Sequence, residues 1–85
     1  MGEASAPLEQ YKSYLYRTRI WQPEADGQWS FDVSLQKDFE GQVRRASGLV
    51  REFQYFNDEV KAAAAAKLWA ENYIDCVERG ELHPW

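Results

Sequence analysis

The residues around position 57 constrain the fold most, because a strand-like segment there gives way to a long helical one. Tyr55 and Phe56 end a run whose composition is typical of a strand. Asn57 is suited to cap a helix, and the two acidic residues after it would lie favourably at the positive end of the helix dipole. Gly80 is the natural end of that helix. The chain therefore places its strands first and one long helix last.

The helical segment is amphipathic, with apolar side chains at the spacing of one helix face. Small alanines in its first half would let the helix backbone come close to a sheet, and larger aromatic residues follow in the second half. Leu68 projects to the polar side instead. The apolar face is predicted to contain Ala62, Ala66, Trp69, Ala70, Tyr73 and Val77, flanked by Ala63, Ile74 and Cys76.

Two segments before the helix show the period of two that is expected of strands. Residues 14 to 21 form the first predicted strand, and a Pro and Asp-Gly turn over residues 23 to 27 follows it. The second strand has the strictest alternation in the chain. Its predicted core face is Trp29, Phe31, Val33 and Leu35, and its polar face is Ser30, Asp32 and Ser34.

The rest of the strand region is predicted in less detail. Residues 36 to 41 form a second turn and residues 43 to 46 a third strand, which Ser47-Gly48 interrupts as a bulge or a corner. Two alternatives stay open: residues 8 to 14 are helix or strand, and residues 49 to 56 do or do not form a separate strand.

These elements predict an α+β fold, with a three- to four-stranded antiparallel β-meander packed on one long C-terminal α-helix. The predicted domain spans residues 8 to 80. A disordered N-terminal tail covers residues 1 to 7, and a short C-terminal tail covers residues 81 to 85.

Charge and cysteine content narrow the class of protein. The 85 residues carry a net charge of −4 and a single cysteine, which excludes an intramolecular disulfide. No apolar run is long enough to span a bilayer, and the N-terminus lacks the features of a signal peptide. We therefore expect an acidic cytoplasmic protein that does not associate with membranes.

No residues have the types and spacing that catalysis requires. His83 is the single histidine and lies near the C-terminus, and Cys76 is best interpreted as a small buried apolar residue. The glycines are scattered singly, so no phosphate-binding loop is present. The sequence predicts no enzyme activity, no cofactor and no metal site.

An arginine and aromatic face is the main functional candidate. Arg17 and Arg19 share a strand face with Trp21, and Arg44, Arg45 and Arg51 are expected to extend the same side. An exposed aromatic beside arginine is typical of protein interfaces, and a small sheet leaves open edges. The predicted function is non-catalytic protein binding or regulation through a sheet edge and this face, with self-association included. Alternatively, this face has no binding function and is simply exposed to solvent, with its arginines in cross-strand ion pairs with Asp32 and Glu52.

Two functional alternatives remain, an accessory subunit of an enzyme and a nucleic-acid-binding domain. The order of strands and helix over residues 14 to 79 resembles the second part of a double-stranded-RNA-binding domain. In that family the last helix begins with lysines that face phosphate, whereas Asn57, Asp58 and Glu59 stand at the matching positions here. The acidic residues at these positions and the net charge both disfavour nucleic acid.

Overall fold

The computed structural model confirms the α+β fold, with an antiparallel sheet packed on a single C-terminal helix. It describes residues 3–5, 7–24, 27–50 and 54–85. The elements of these residues are β1 (Glu3–Ser5), β2 (Glu9–Tyr11), β3 (Tyr14–Trp21), β4 (Ser30–Phe39), β5 (Gln42–Ala46) and α1 (Glu59–Glu78).

The sheet is ordered β1-β3-β4-β5, and β2 pairs with β3 on the same edge as β1. β3 and β4 form the centre, with an antiparallel register that runs from Leu15 opposite Gln36 to Trp21 opposite Ser30. Residues 8 to 14, for which helix and strand were both open, form β2 and a tight turn at Lys12, whose φ is 55°. The third predicted strand is present as β5.

The core lies between α1 and one face of β3 and β4. Tyr14, Tyr16 and Ile20 from β3 are buried there, as the alternation predicted. From β4, Phe31, Val33 and Leu35 are each 1% exposed. On the helix, a single line of residues spaced four apart is fully buried, and it consists of Ala62, Ala66, Ala70 and Ile74.

The alanines of α1 pack directly on the sheet, because side chains that end at Cβ let the helix backbone approach closely. Trp69 lies beside them, with its ring centroid 6.3 Å from that of Phe31 and 5.1 Å from that of Tyr73. Leu68 is on the solvent side, as predicted, with 62% of its surface exposed. Ala63 was expected to flank the core and is exposed instead.

The boundaries of α1 differ by one residue at the start. Asp58, and not Asn57, is the N-cap, and its carboxylate accepts the Val60 N–H at 2.7 Å. The Asn57 side chain instead accepts a hydrogen bond from Gln28 Nε2 at 2.9 Å. The helix stops before Gly80 as predicted, since this glycine has a φ of 77°, which side chains with a Cβ rarely adopt.

β4 is longer than predicted, because residues 36 to 39 continue the strand. The turn is confined to Glu40 and Gly41, both with positive φ, and Asp38 Oδ1 accepts the Gly41 N–H at 2.7 Å. The extension is stabilised by contacts that the sequence pattern did not reveal. Lys37 Nζ lies 4.4 Å from the centre of the Tyr14 ring, and Phe39 contacts Trp85 edge-on at 5.5 Å.

After β5 the chain turns away at Ser47-Gly48 and runs back towards Trp29. Gly48 has a φ of 63°, which ends the strand. Phe56 forms an isolated two-bond bridge with Trp29, with N···O distances of 2.7 and 2.8 Å. Residues 49, 50 and 54 to 56 therefore form no continuous strand, and residues 51 to 53 lie outside the described residues.

Both chain ends differ from the predicted tails. Glu3–Ser5, within the segment expected to be disordered, pair with Arg19 to Trp21 as β1. At the other end, Trp85 stacks on Tyr14, with ring centroids 6.1 Å apart and planes inclined by 10°. The C-terminal residue therefore closes one end of the core.

Candidate functional site

The helix covers one face of the sheet, and we term the opposite side the open face. The register places alternate residues of the three longest strands on it. In the part of the chain that the structure describes, no second helix packs on this side. The open face consists of Leu15, Arg17, Arg19 and Trp21 from β3, Ser30, Asp32, Ser34, Gln36 and Asp38 from β4, and Val43 and Arg45 from β5.

Three arginines give the open face its chemical character. The Arg19 guanidinium lies 4.9 Å from the centre of the Trp21 ring, which is a cation–π distance. Arg19 also lies opposite Asp32 in the register. Arg45 Nε donates to Gln36 Oε1 at 3.2 Å, which holds this side chain against β4. Arg17 is exposed between these two contacts.

A shallow groove follows the arginines along the open face. One part has a volume of about 440 Å³ and is lined by Arg17, Arg19, Asp32 and Ser34. The next part has about 420 Å³, shares Arg17 and Ser34, and extends to Arg45. The two parts adjoin at Arg17 on β3 and Ser34 on β4, and Ser47, which follows β5, lines both.

Not all the predicted site residues lie on this surface. Arg17, Arg19 and Trp21 come together on the open face, as expected. Arg44 does not, because it pairs with Lys37 in the register and therefore points to the helix side, 5.4 Å from the centre of the Phe39 ring. Arg51 lies outside the described residues.

Of the two neighbouring arginines that were expected to extend this face, only Arg45 lies on it. The two-residue turn at Glu40-Gly41 sets the register of the hairpin, which puts Arg45 opposite Gln36. The predicted six-residue turn left this register undefined, so neighbouring arginines could not be assigned to faces. The alternation of β4 through Lys37 and Phe39 was the signal that could have located Arg45.

Exposed apolar side chains occur on both sides of the molecule. Leu8 borders the groove of the open face, and Val43, at 44% exposed, lies on the same face at β5. On the helix, Val60 and Leu68 are also exposed and lie two turns apart on one line. Val60 and Leu68 therefore form a second exposed apolar surface that could bind a partner, although no arginine accompanies it.

Two groups of titratable residues lie apart from the open face, where they join β2 and β3 to the helix. The Tyr11 hydroxyl donates to Asp75 at 3.1 Å, and Lys12 Nζ forms an ion pair with the same carboxylate at 2.5 Å. Hydrogen bonding to Lys12 lowers the pKa of Asp75. The Tyr16 hydroxyl donates to Glu9 at 2.7 Å and lies 3.3 Å from Glu71. Each group thus connects strands to α1.

The Tyr16 hydroxyl leads to a testable pH dependence. Burial, followed by the hydrogen bond to Glu9, raises the pKa of Tyr16. A tyrosine in the unfolded chain loses its proton at about pH 10, whereas Tyr16 in the folded protein keeps it to a higher pH. The contribution of Tyr16 to the free energy of unfolding is therefore complete below that pH and is lost as the pH rises above it. We expect the free energy of unfolding to fall less steeply above pH ~10 in Tyr16→Phe than in the wild type. Urea denaturation at several alkaline pH values would measure this.

Tyr55→Phe is the matched control, because Tyr55 is exposed. It should leave the alkaline pH dependence of unfolding as in the wild type. If the free energy of unfolding falls equally steeply above this pH in the wild type and in Tyr16→Phe, the folded state does not raise the pKa of Tyr16.

Comparison with known proteins gives no relationship, since no family model, curated protein or solved structure matches the chain significantly. Within residues 3–5, 7–24, 27–50 and 54–85, no group of three or more His, Cys, Asp or Glu side chains is placed to hold a metal ion. In the same residues, no helix has both the length and the apolar character needed to cross a membrane.

Proposed function

We propose that this protein is a non-catalytic binding module that recognises a protein partner through the open face and the adjoining edge of β5. The observation that carries the proposal is the groove along the open face, which is lined by arginines together with the apolar residues Leu8, Val33 and Leu35. Arg17, Arg19 and Arg45 supply directional donors. Leu8 and Val43 supply exposed apolar area beside them. Arginine with apolar and aromatic neighbours is the composition enriched in protein interfaces.

The arrangement of charge favours a protein over a nucleic acid. A nucleic-acid backbone requires several cations along one continuous track. Here Asp32 lines the groove between the arginines, and Arg44 points to the other side of the sheet. Arg19 on Trp21 still offers a cation and a stacking surface, so nucleic acid is the second candidate function.

The partner surface can be tested by capture from a lysate of source cells treated with nuclease. The bait is the full chain, either wild type or carrying Arg17→Glu with Arg45→Glu. Both arginines are exposed, so the variant should fold normally. We expect the wild type to retain a discrete protein after nuclease treatment and the variant to retain at least about tenfold less, because two favourable contacts become repulsive.

The matched control is Lys61→Glu with Lys67→Glu, which makes the same change of charge on exposed helix residues. It should capture as much partner as the wild type. Equal loss in both variants would show that only overall charge matters. Capture that disappears with nuclease would instead support the nucleic-acid candidate. A wild-type bait that retains the same proteins as the open-face variant would contradict the proposed surface.

A further inference from the structure

β5 forms one edge of the sheet. Gln42–Ala46 pair with β4 on one side, and no other strand of the described residues pairs on the other. Gln42, Val43, Arg44 and Arg45 are all exposed. An edge strand presents unpaired backbone N–H and C=O groups, to which an extended chain can add as a further strand. This edge therefore offers backbone pairing next to the groove of the open face.

The charges along this edge are basic on both faces of the sheet. Arg44 and Lys37 lie opposite each other on the helix side, where both approach the Phe39 ring. Arg45 lies on the open face, and Arg17 is two strands further in. The acidic groups near this edge are Glu40 in the turn, Asp38, which accepts the Gly41 N–H, and Glu78, which lies 4.0 Å from Lys37. Each face thus presents an arginine at the edge itself.

We propose that the β5 edge binds an extended, acidic segment of a partner protein as an additional β-strand. Consecutive side chains of a strand point to opposite faces. Two neighbouring acidic residues of the incoming strand would therefore meet Arg44 on the helix side and Arg45 on the open face. This inference rests on the proposed function and specifies the class of partner and its mode of binding.

The same geometry disfavours two other occupants. A nucleic-acid backbone follows one surface, so it could not contact Arg44 and Arg45 together when they point to opposite faces. A second copy of this chain, paired antiparallel through fully overlapped β5 strands, would bring the two Arg44 side chains directly opposite each other. Like charges in that position are destabilising. An acidic segment satisfies both the backbone and the arginines.

The test uses synthetic, fluorescently labelled peptides and the full chain. The probe is Thr-Val-Glu-Glu-Val-Thr-Val, compared with versions in which Gln-Gln or Lys-Lys replaces Glu-Glu. Fluorescence anisotropy should show that the acidic peptide binds about tenfold more tightly than the Gln version, with no binding of the Lys version. Arg44→Glu should weaken binding of the acidic peptide at least about tenfold, and Arg44→Gln should weaken it less. Lys61→Glu should leave binding unchanged.

A backbone readout separates strand pairing from charge attraction. Amide hydrogen exchange by NMR should show that slowed exchange on adding the acidic peptide is concentrated at Gln42–Ala46. The same peptide carrying N-methyl groups at alternate residues keeps its charge but loses backbone donors, and it should neither bind tightly nor slow exchange. Equal binding of the N-methylated peptide, or slowed exchange at β1 or β2 in place of β5, would overturn the inference. The inference would also be overturned if a single-stranded oligonucleotide bound more tightly than the acidic peptide and Arg44→Glu abolished that binding.

The outcomes distinguish this inference from the proposed function. Arg44 lies away from the open face, whereas Arg17 lies on the central strand β3. Arg17→Glu could reduce partner capture while Arg44→Glu leaves capture unchanged and the acidic peptide does not bind. In that case the open face binds a partner and the edge does not accept a strand. If neither substitution affects capture, both proposals fail.

Discussion

Replacing Phe31 with alanine is expected to destabilise the protein by about 3–5 kcal/mol, because it leaves a cavity where the sheet meets the helix. Phe31 is 1% exposed and packs against the rings of Phe56 and Trp69 at centroid distances of 6.2 and 6.3 Å. A domain of this size has a total stability of roughly 5–15 kcal/mol. The substitution should therefore remove a large part of the stability and lower the urea midpoint accordingly.

Leu68→Ala is the control, because Leu68 is a large apolar residue on the solvent side of α1. Its unfolding free energy should stay within ~0.5 kcal/mol of the wild type. If the two substitutions shift the urea midpoint equally, the helix does not present the face that the structure assigns to the core.

Ala66→Leu is expected to destabilise by about 1–3 kcal/mol, although leucine is nearly as good a helix former as alanine. Ala66 is fully buried in the line of small residues that lets α1 approach the sheet. Additional carbons at this position would push the helix away from β3 and β4. Thermal unfolding followed by circular dichroism would measure the loss.

Ala64→Leu makes the same chemical change on the exposed side of the same helix. It should leave the melting temperature close to that of the wild type, because nothing is displaced. A wild-type melting temperature for Ala66→Leu would mean that the helix is not in close contact with the sheet at this turn.

The elements with regular periods were predictable from the sequence. Tyr14–Trp21 has the predicted bounds, and the apolar face of β4 is the one that the alternation indicated. Alternation succeeds here because one face of each strand is buried, so a shift of one residue would exchange the two faces. The alanine face of the helix and its end at Gly80 followed from equally local rules.

The features that depend on distant contacts were not predictable. Residues 36 to 39 extend β4 because Lys37 and Phe39 contact Tyr14 and Trp85, which lie far away in the sequence. Local rules made Asn57 as good a cap as Asp58, but Asp58 is the N-cap and the Asn57 side chain accepts a hydrogen bond from Gln28. Ser30 lies on the predicted face, opposite Trp21, yet it is fully buried, and its hydroxyl has no hydrogen-bond partner among the described residues.

The candidate site was only partly predictable for the same reason. Arg17, Arg19 and Trp21 alternate within one strand, so a single pattern placed them together. Adding a further arginine required the register between two strands, which the turn at Glu40-Gly41 sets. Arg44 and Arg45 are neighbours in sequence and lie on opposite faces, and that separation is the basis for proposing an acidic strand at the β5 edge.

The most direct test of the central claim, that the open face and its edge bind a partner, is photo-crosslinking at single positions in source cells. A photoreactive phenylalanine derivative would replace Val43 on the open face or Leu68 on the helix, two exposed apolar residues. Irradiation of the Val43 derivative should give a discrete, nuclease-resistant protein adduct, and the Leu68 derivative should give none. An adduct at Leu68 without one at Val43 would place the binding surface on the helix and contradict the proposal.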